Sequence, residues 1–169
     1  MPILTYLTSE KHAGLIRRSG IRGATGGFGA HRGVFCMPVL PDYFTTHQWL
    51  RELKRRGQRT IVAIDFRLRS DAPAWVGHYN QPHVETTVGG AVGMLMELAD
   101  TRGFEVIVPR SIRPDEILRV RKVRQVLGWR YFPDAHGKRP TCACRMCLPK
   151  GTIKSSRLRH RLDPTGENY

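Results

Sequence analysis

Phe104-Glu105-Val106-Ile107-Val108-Pro109 is the stretch on which the reading of this chain turns. Aromatic and β-branched residues fill it and a proline closes it, so it reads as a strand. Its one charged residue, Glu105, stands at the head. Burying a carboxylate is costly unless it is paired or hydrogen-bonded. Glu105 therefore either faces solvent at a sheet edge or belongs to a site that uses its charge.

Upstream of this strand, Thr86 or Thr87 caps a helix that runs through Ala99, with Met94, Leu95 and Leu98 as core positions. Trp75 to Tyr79 is a short extended piece. Thr60 to Leu68 is the clearest strand of the chain, with Asp65 and Arg67 marking a polar side. Thr45 or Thr46 opens a helix that carries Trp49, Leu50 and Leu53 and ends near Gly57. Val34 to Leu40 is a strand. The glycine-rich loop before it, Gly23 to Gly29, matches neither a dinucleotide fingerprint nor a P-loop. At the start, Ile3 to Leu7 is a strand, Thr8 or Ser9 caps a helix through Arg18, and Gly20 closes that helix.

Downstream, Asp115 to Val126 reads as a short helix turning into a strand, and Gly128 to Phe132 as a last extended piece. Strands interspersed with helices make this an α+β chain. The character changes near residue 134, which divides the sequence into a folded domain over residues 1–133 and a basic segment over 134–169.

The opening Leu4-Thr5-Tyr6-Leu7-Thr8, followed by a helix that leads into Leu15-Ile16-Arg17-Arg18-Ser19-Gly20-Ile21, resembles the opening of ADP-ribosyltransferase-fold proteins. In DarT-type DNA ADP-ribosyltransferases and RNA 2′-phosphotransferases, a strand with His-x-Thr leads through a helix to a Ser-Gly or Gly-Leu turn. Glu105-Val106-Ile107-Val108-Pro109-Arg110-Ser111-Ile112, continuing to Ile117, resembles the DarT-type segment that carries the catalytic glutamate. The resemblance runs in order from Ile3 to Val126. The family's first-strand histidine falls on Tyr6 here, or on Leu7 one register along.

The resemblance implies an ADP-ribosyltransferase-like split β-sheet core with flanking helices. It also implies NAD as the substrate, a mono-ADP-ribosyltransferase acting on DNA or RNA, and a toxin or defence role with an antitoxin protein as partner. Breaking the nicotinamide–ribose bond passes through an oxocarbenium-like state, which a carboxylate stabilises. Glu105 is the residue for that role. Tyr6 and Thr8, two apart on one strand face, are placed to hold the nicotinamide ribose or amide. Arg32 and His31 are candidates for the pyrophosphate. Tyr79, in His78-Tyr79-Asn80, lines the pocket or stacks on a base, or is turn chemistry. Three alternatives remain: an RNA 2′-phosphotransferase, a protein-directed ADP-ribosyltransferase, and a non-catalytic nucleic-acid-binding module with a structural zinc site.

Composition agrees with a polyanionic partner. Lys and Arg number 28 against 14 Asp and Glu, a net charge of +14. Basic side chains release condensed counterions when they meet phosphates. Arg121, Lys122 and Arg124 form one run, and Lys138, Arg139, Lys154, Arg157 and Arg159 lie in the C-terminal segment. Trp129 and Tyr131 stand between the runs, as stacking rings or as core. Cys142-Ala143-Cys144-Arg145-Met146-Cys147 supplies three thiolates for zinc, with His136, or alternatively Cys36, as the fourth ligand. The clustering suits metal better than disulfides, and with it a cytoplasmic setting. Gly89 to Ala99 is too short and too glycine-broken to span a bilayer, and the first residues lack a signal peptide's cationic start. The sequence thus calls for no membrane partner.

If the C-terminal segment is a phosphate-tracking arm, truncation after Pro133 weakens DNA or RNA binding and flattens its salt dependence. Anisotropy titrations across a salt series check this, and an unchanged slope refutes the arm.

Overall fold

A computed structural model describes residues 1–26 and 31–125 of the chain. These form an α+β structure around an eight-stranded sheet, with the strands in the order β6-β5-β7-β3-β1-β4-β8 and β2 paired to β3. In chain order the strands are β1 (Ile3–Ser9), β2 (Ala24–Gly26), β3 (His31–Pro38), β4 (Ile61–Arg67), β5 (Pro73–His78), β6 (Val84–Thr87), β7 (Phe104–Val108) and β8 (Ile117–Lys122). The pairings among them are antiparallel. The helices are α1 (Glu10–Ser19), α2 (Tyr43–His47), α3 (Leu50–Arg55) and α4 (Val88–Glu97). No described helix is long and apolar enough to cross a membrane.

β4 is the axis of the structure. Six of its seven residues are buried, because β1 covers one edge, β8 the other, and both faces are packed. On one face Ile64 and Phe66 join the main core with Leu4, Ile21 and Met37, and Tyr6 and Ile16 pack against it. On the other, Ile61 and Ala63 pack with Leu50 and Val123, flanked by Leu7 and Leu53. The polar side expected at Asp65 is therefore absent: Asp65 has no exposed surface. Its carboxylate accepts hydrogen bonds from the Thr5 hydroxyl at 2.8 Å, Arg119 Nε at 2.9 Å and Arg121 Nε at 2.8 Å. Burial alone would raise its pKa, but the hydrogen bonds from Arg121, Arg119 and Thr5 outweigh it and hold the carboxyl below its ordinary value.

Several boundaries differ from the expected ones for local reasons. The helix expected from Thr45 or Thr46 to Gly57 is two helices, α2 and α3, separated at Gln48 and Trp49. Asp42 is the cap: its carboxylate accepts from the backbone N–H groups of Phe44 and Thr45 at 2.9 and 3.1 Å. The Thr46 hydroxyl donates back to the Pro38 carbonyl instead. Thr87 does cap α4, accepting from Gly90 N–H at 3.1 Å, but that helix buries Val88, Ala91 and Leu95. Met94 and Leu98 are exposed, Met94 because it lies off that stripe and Leu98 because it has already left the helix with ψ 130°. The helix expected from Asp115 is a single 3-10 turn, Pro114–Glu116, and the chain then runs as β8. Thr86 and Thr87, read only as cap candidates, belong with Val84 and Glu85 to the short edge strand β6 on β5.

Gly20 ends α1 with φ 80°, and a side chain there would collide with the Ile112 carbonyl. That close approach lets Ile21 and Ile112 form a bridge that ties the α1 exit to the segment after β7.

Asp65→Asn leaves Arg119 and Arg121, whose side chains reach solvent, without their anion and should destabilise the fold by about 1–3 kcal/mol, the scale of lost hydrogen bonds to a charged group. Urea denaturation at unchanged m-value measures it. Because the folded carboxyl titrates below its ordinary value, its stabilisation is full above the ordinary carboxylate range and is lost as pH falls through the lowered value. The variant should lack that acid-side loss.

Candidate functional site

β1 and β3 pair only through Leu4↔Pro38 and Thr5↔Met37. Further along, β3 pairs with β7 through Val34, Phe35 and Cys36, while β1 continues along β4 to Ser9. Where the two strands part there is a cavity of about 290 Å³. Its walls include Tyr6 and Leu7 of β1, Phe35 of β3, and Trp49, Glu52 and Arg56 from the α3 region, and Glu105 of β7 also lines it.

The approach to Glu105 is fixed from below. Between α2 and α3, Gln48 and Trp49 bind the loop that feeds β7. Gln48 Nε2 donates to the Thr101 carbonyl at 3.0 Å, and its Oε1 accepts from Gly103 N–H at 2.8 Å. Trp49 Nε1 donates to the Phe104 carbonyl at 2.8 Å. Glu105 follows at once, on a strand flanked by β3 and β5, so it does not stand at a sheet edge. Only 8% of its surface is exposed. Burial pushes its carboxyl up to about 7, against the opposing pull of the Arg56 charge.

Among the described residues its side-chain hydrogen-bond partner is His83, whose Nε2 lies 3.2 Å from Glu105 Oε1. The His83 side chain is wholly covered. Burial, assisted by the charge of His31, lowers its pKa, which favours the neutral ring. His83 comes from the turn between β5 and β6 and was not expected at the site. Gly77, directly across from Glu105 in the sheet, makes room for it. A Cβ at Gly77 would stand 3.0 Å from His83 Cα and 3.1 Å from its ring. The signal in the sequence is a glycine inside a strand, which often marks such a close approach.

Of the expected NAD-site residues, Tyr6 and Glu105 line the same cavity. Burial raises the Tyr6 phenol, with the Thr8 hydroxyl beside it working the other way. Thr8 is buried and does not line the cavity. His31 packs on Trp75, ring centroids 4.5 Å apart, and edge-on against His83 at 5.4 Å, so it reaches Glu105 only through His83. Arg32 is exposed on β3 opposite Thr25. Tyr79 packs edge-on against Trp49 and beside His78.

Arg22, Trp49, Glu52 and Arg56 line the cavity without having been expected there. Trp49, Glu52, Leu53 and Arg56 fall at helical spacing, so one stripe turns toward the cavity. That stripe had the pattern of a plain core face, and the opposite charges of Glu52 and Arg56 within it were the available clue.

Among the basic residues, Arg121 is engaged with Asp65, Lys122 is exposed across from Val62, and Arg124 lies 6.0 Å over the Tyr43 ring. Lys138, Arg139, Lys154, Arg157 and Arg159, and the zinc candidates His136, Cys142, Cys144 and Cys147, lie outside the described residues. Cys36 is buried, and its thiol donates to the Val106 carbonyl. Burial and the Glu105 charge push that thiol well up, so it is held protonated. Among the described residues no group of three or more His, Cys, Asp or Glu could hold a metal ion.

The folded Glu105 carboxyl titrates near 7, above its unfolded value, so its favourable contribution is present at low pH and is lost as pH rises through 7. Glu105→Gln should therefore stabilise the protein at pH 8 by about 2–3 kcal/mol and do little at pH 4. Thermal or urea denaturation at the two pH values measures this; an equal effect at both would contradict the burial argument. Comparison with protein-family models, curated proteins and solved structures finds no match.

Proposed function

We propose that this chain is an NAD-dependent mono-ADP-ribosyltransferase that modifies nucleic acid, with Glu105 as its catalytic carboxylate. The observation that carries the reading is a nearly buried glutamate lining a cavity at the parting of two strands, with Tyr6 on the same cavity. Raised carboxylates in clefts are concentrated at functional sites. At about 290 Å³ the cavity lies near the lower bound of small-molecule sites, about 300 Å³. The part of NAD it would enclose is the nicotinamide–ribose end, where the bond breaks.

In the reaction the bond between nicotinamide and the ribose anomeric carbon opens, and nicotinamide leaves with the electron pair. Ionised Glu105 offsets the positive charge that grows on the ribose and accepts a hydrogen bond from a ribose hydroxyl. A nucleophile of the acceptor then bonds to the anomeric carbon and gives up its proton. Tyr6 supplies a flat apolar wall with a hydroxyl at its end, which suits a nicotinamide ring. The net charge of +14 favours a nucleic-acid acceptor. The toxin or defence role and an antitoxin partner belong to this same reading, as does structural zinc at the C-terminal cysteines.

A second reading has its own support. Arg22 and Arg56 both line the cavity, and an RNA 2′-phosphotransferase needs cations there to hold the phosphate it removes.

The test is nicotinamide release from NAD with single-stranded DNA, duplex DNA, tRNA or no acceptor, alongside RNA carrying a 2′-phosphate. Under the proposal, release is stimulated by one unphosphorylated acceptor and falls roughly 10²-fold or more in Glu105→Gln, with nucleic-acid affinity retained. Its rate should climb with pH as Glu105 ionises, with a midpoint near 7. Loss of a 2′-phosphate would favour the second reading. No NAD consumption under any condition, with nucleic acid still bound, would refute both enzymes in favour of a binding module.

A further inference from the structure

The contact between His83 and Glu105 has a built-in direction. His83 presents Nε2 to Glu105 Oε1 at 3.2 Å, while its Nδ1 is buried with no hydrogen-bond partner. An imidazole placed this way has three states. As a cation, or as the neutral Nδ1–H form, it would bury an N–H donor with nothing to receive it. As the neutral Nε2–H form it leaves only a bare lone pair at Nδ1 and points its one donor at the carboxylate. Buried donors are left unpaired more rarely than buried acceptors, so the surroundings select the third state.

We propose that His83 is a positioning residue: a neutral imidazole locked in the Nε2–H form that holds Oε1 of Glu105 and leaves Oε2 to the ligand. The inference rests on Glu105 being the working carboxylate of the cavity. Gly77 fixes the ring from below, and the His31 ring, itself packed on Trp75, closes it edge-on. No hydrogen bond to Oε2 comes from the described residues. The other titratable groups around the pair are Glu52 of α3 and Arg56 just after it, Tyr6 of β1, Cys36 and His31 of β3, and Arg22 ahead of β2. Cys36 is occupied with the Val106 carbonyl, and Arg56 acts on Glu105 by charge rather than by contact. His83 is thus the group that orients the carboxylate, and its donor favours the ionised form.

The experiment is NMR on the full chain with isotope-labelled histidine and glutamate, without NAD. The His83 nitrogens should show the Nε2–H form across neutral pH, with no imidazolium. In His83→Phe the Glu105 midpoint should rise by about one unit or more, a tenfold gain in proton affinity. In His83→Gln, which keeps an N–H donor, the midpoint should stay close to that of the natural chain. An Nδ1–H form, a cationic ring, or an unmoved midpoint in His83→Phe overturns the proposal. If His83→Phe does not fold, the ring state in the natural chain and the midpoint in His83→Gln still decide it. Because no NAD enters the measurement, a chain with the expected ring state that never consumes NAD would overturn the transferase reading alone.

Discussion

The Asp65 carboxylate, enclosed at the centre of β4, is the interaction on which the rest of this structure depends. It joins three neighbouring strands at one point, taking a hydroxyl from β1 and two guanidinium donors from β8. A buried ion pair rarely adds much net stability, since desolvation offsets the attraction. What it does specify is alignment. A slip of β8 by one residue would turn Arg119 and Arg121 to the other face and strand the negative charge. Thr5 is also the last residue through which β1 meets β3 before the two strands part. The knot therefore holds β1 in place where its second neighbour leaves it, and the cavity opens beside that point.

A second constraint sets the other wall. Gln48 and Trp49, between α2 and α3, keep helical backbone angles and use their side chains to hold the loop that enters β7. These hydrogen bonds thus fix the chain just ahead of Glu105. Its carboxyl is at the same time kept from water, which works against the fold once it ionises. A group whose chemistry is purchased with stability is the common signature of a functional site.

The sequence was legible where one element explains itself. The apolar run around Glu105, the strand ending at Arg67, and the glycine closing α1 are local patterns, and the structure has them. Misreadings arose where a face was assigned from a short pattern. Asp65 looked like the polar side of a strand because alternation normally means one wet face, whereas β4 is covered on both. Met94 and Leu98 looked like core because they are large and apolar, whereas Val88, Ala91 and Leu95 make the stripe. His83 left almost no trace. It reaches Glu105 through the register of a hairpin whose second strand was not foreseen, and only Gly77 hinted at the space. Arg121 showed its charge but not that a buried anion engages it. The cysteine cluster and the basic C-terminal residues lie outside what is described.

The short seam between β1 and β3 has a consequence for how this protein can change. Beyond Thr5, the edge of β1 that faces away from β4 has no strand partner among the described residues. Tyr6 and Leu7 line the cavity along this stretch, and at alternate residues the peptide N–H and C=O groups point away from β4. Polar backbone groups of this kind seek partners, and an occupant of the gap can provide them. A contact made to the peptide chain is indifferent to which side chain it carries. Were a ligand held this way, substitutions along this wall would change the side chains it meets and leave the peptide contacts in place.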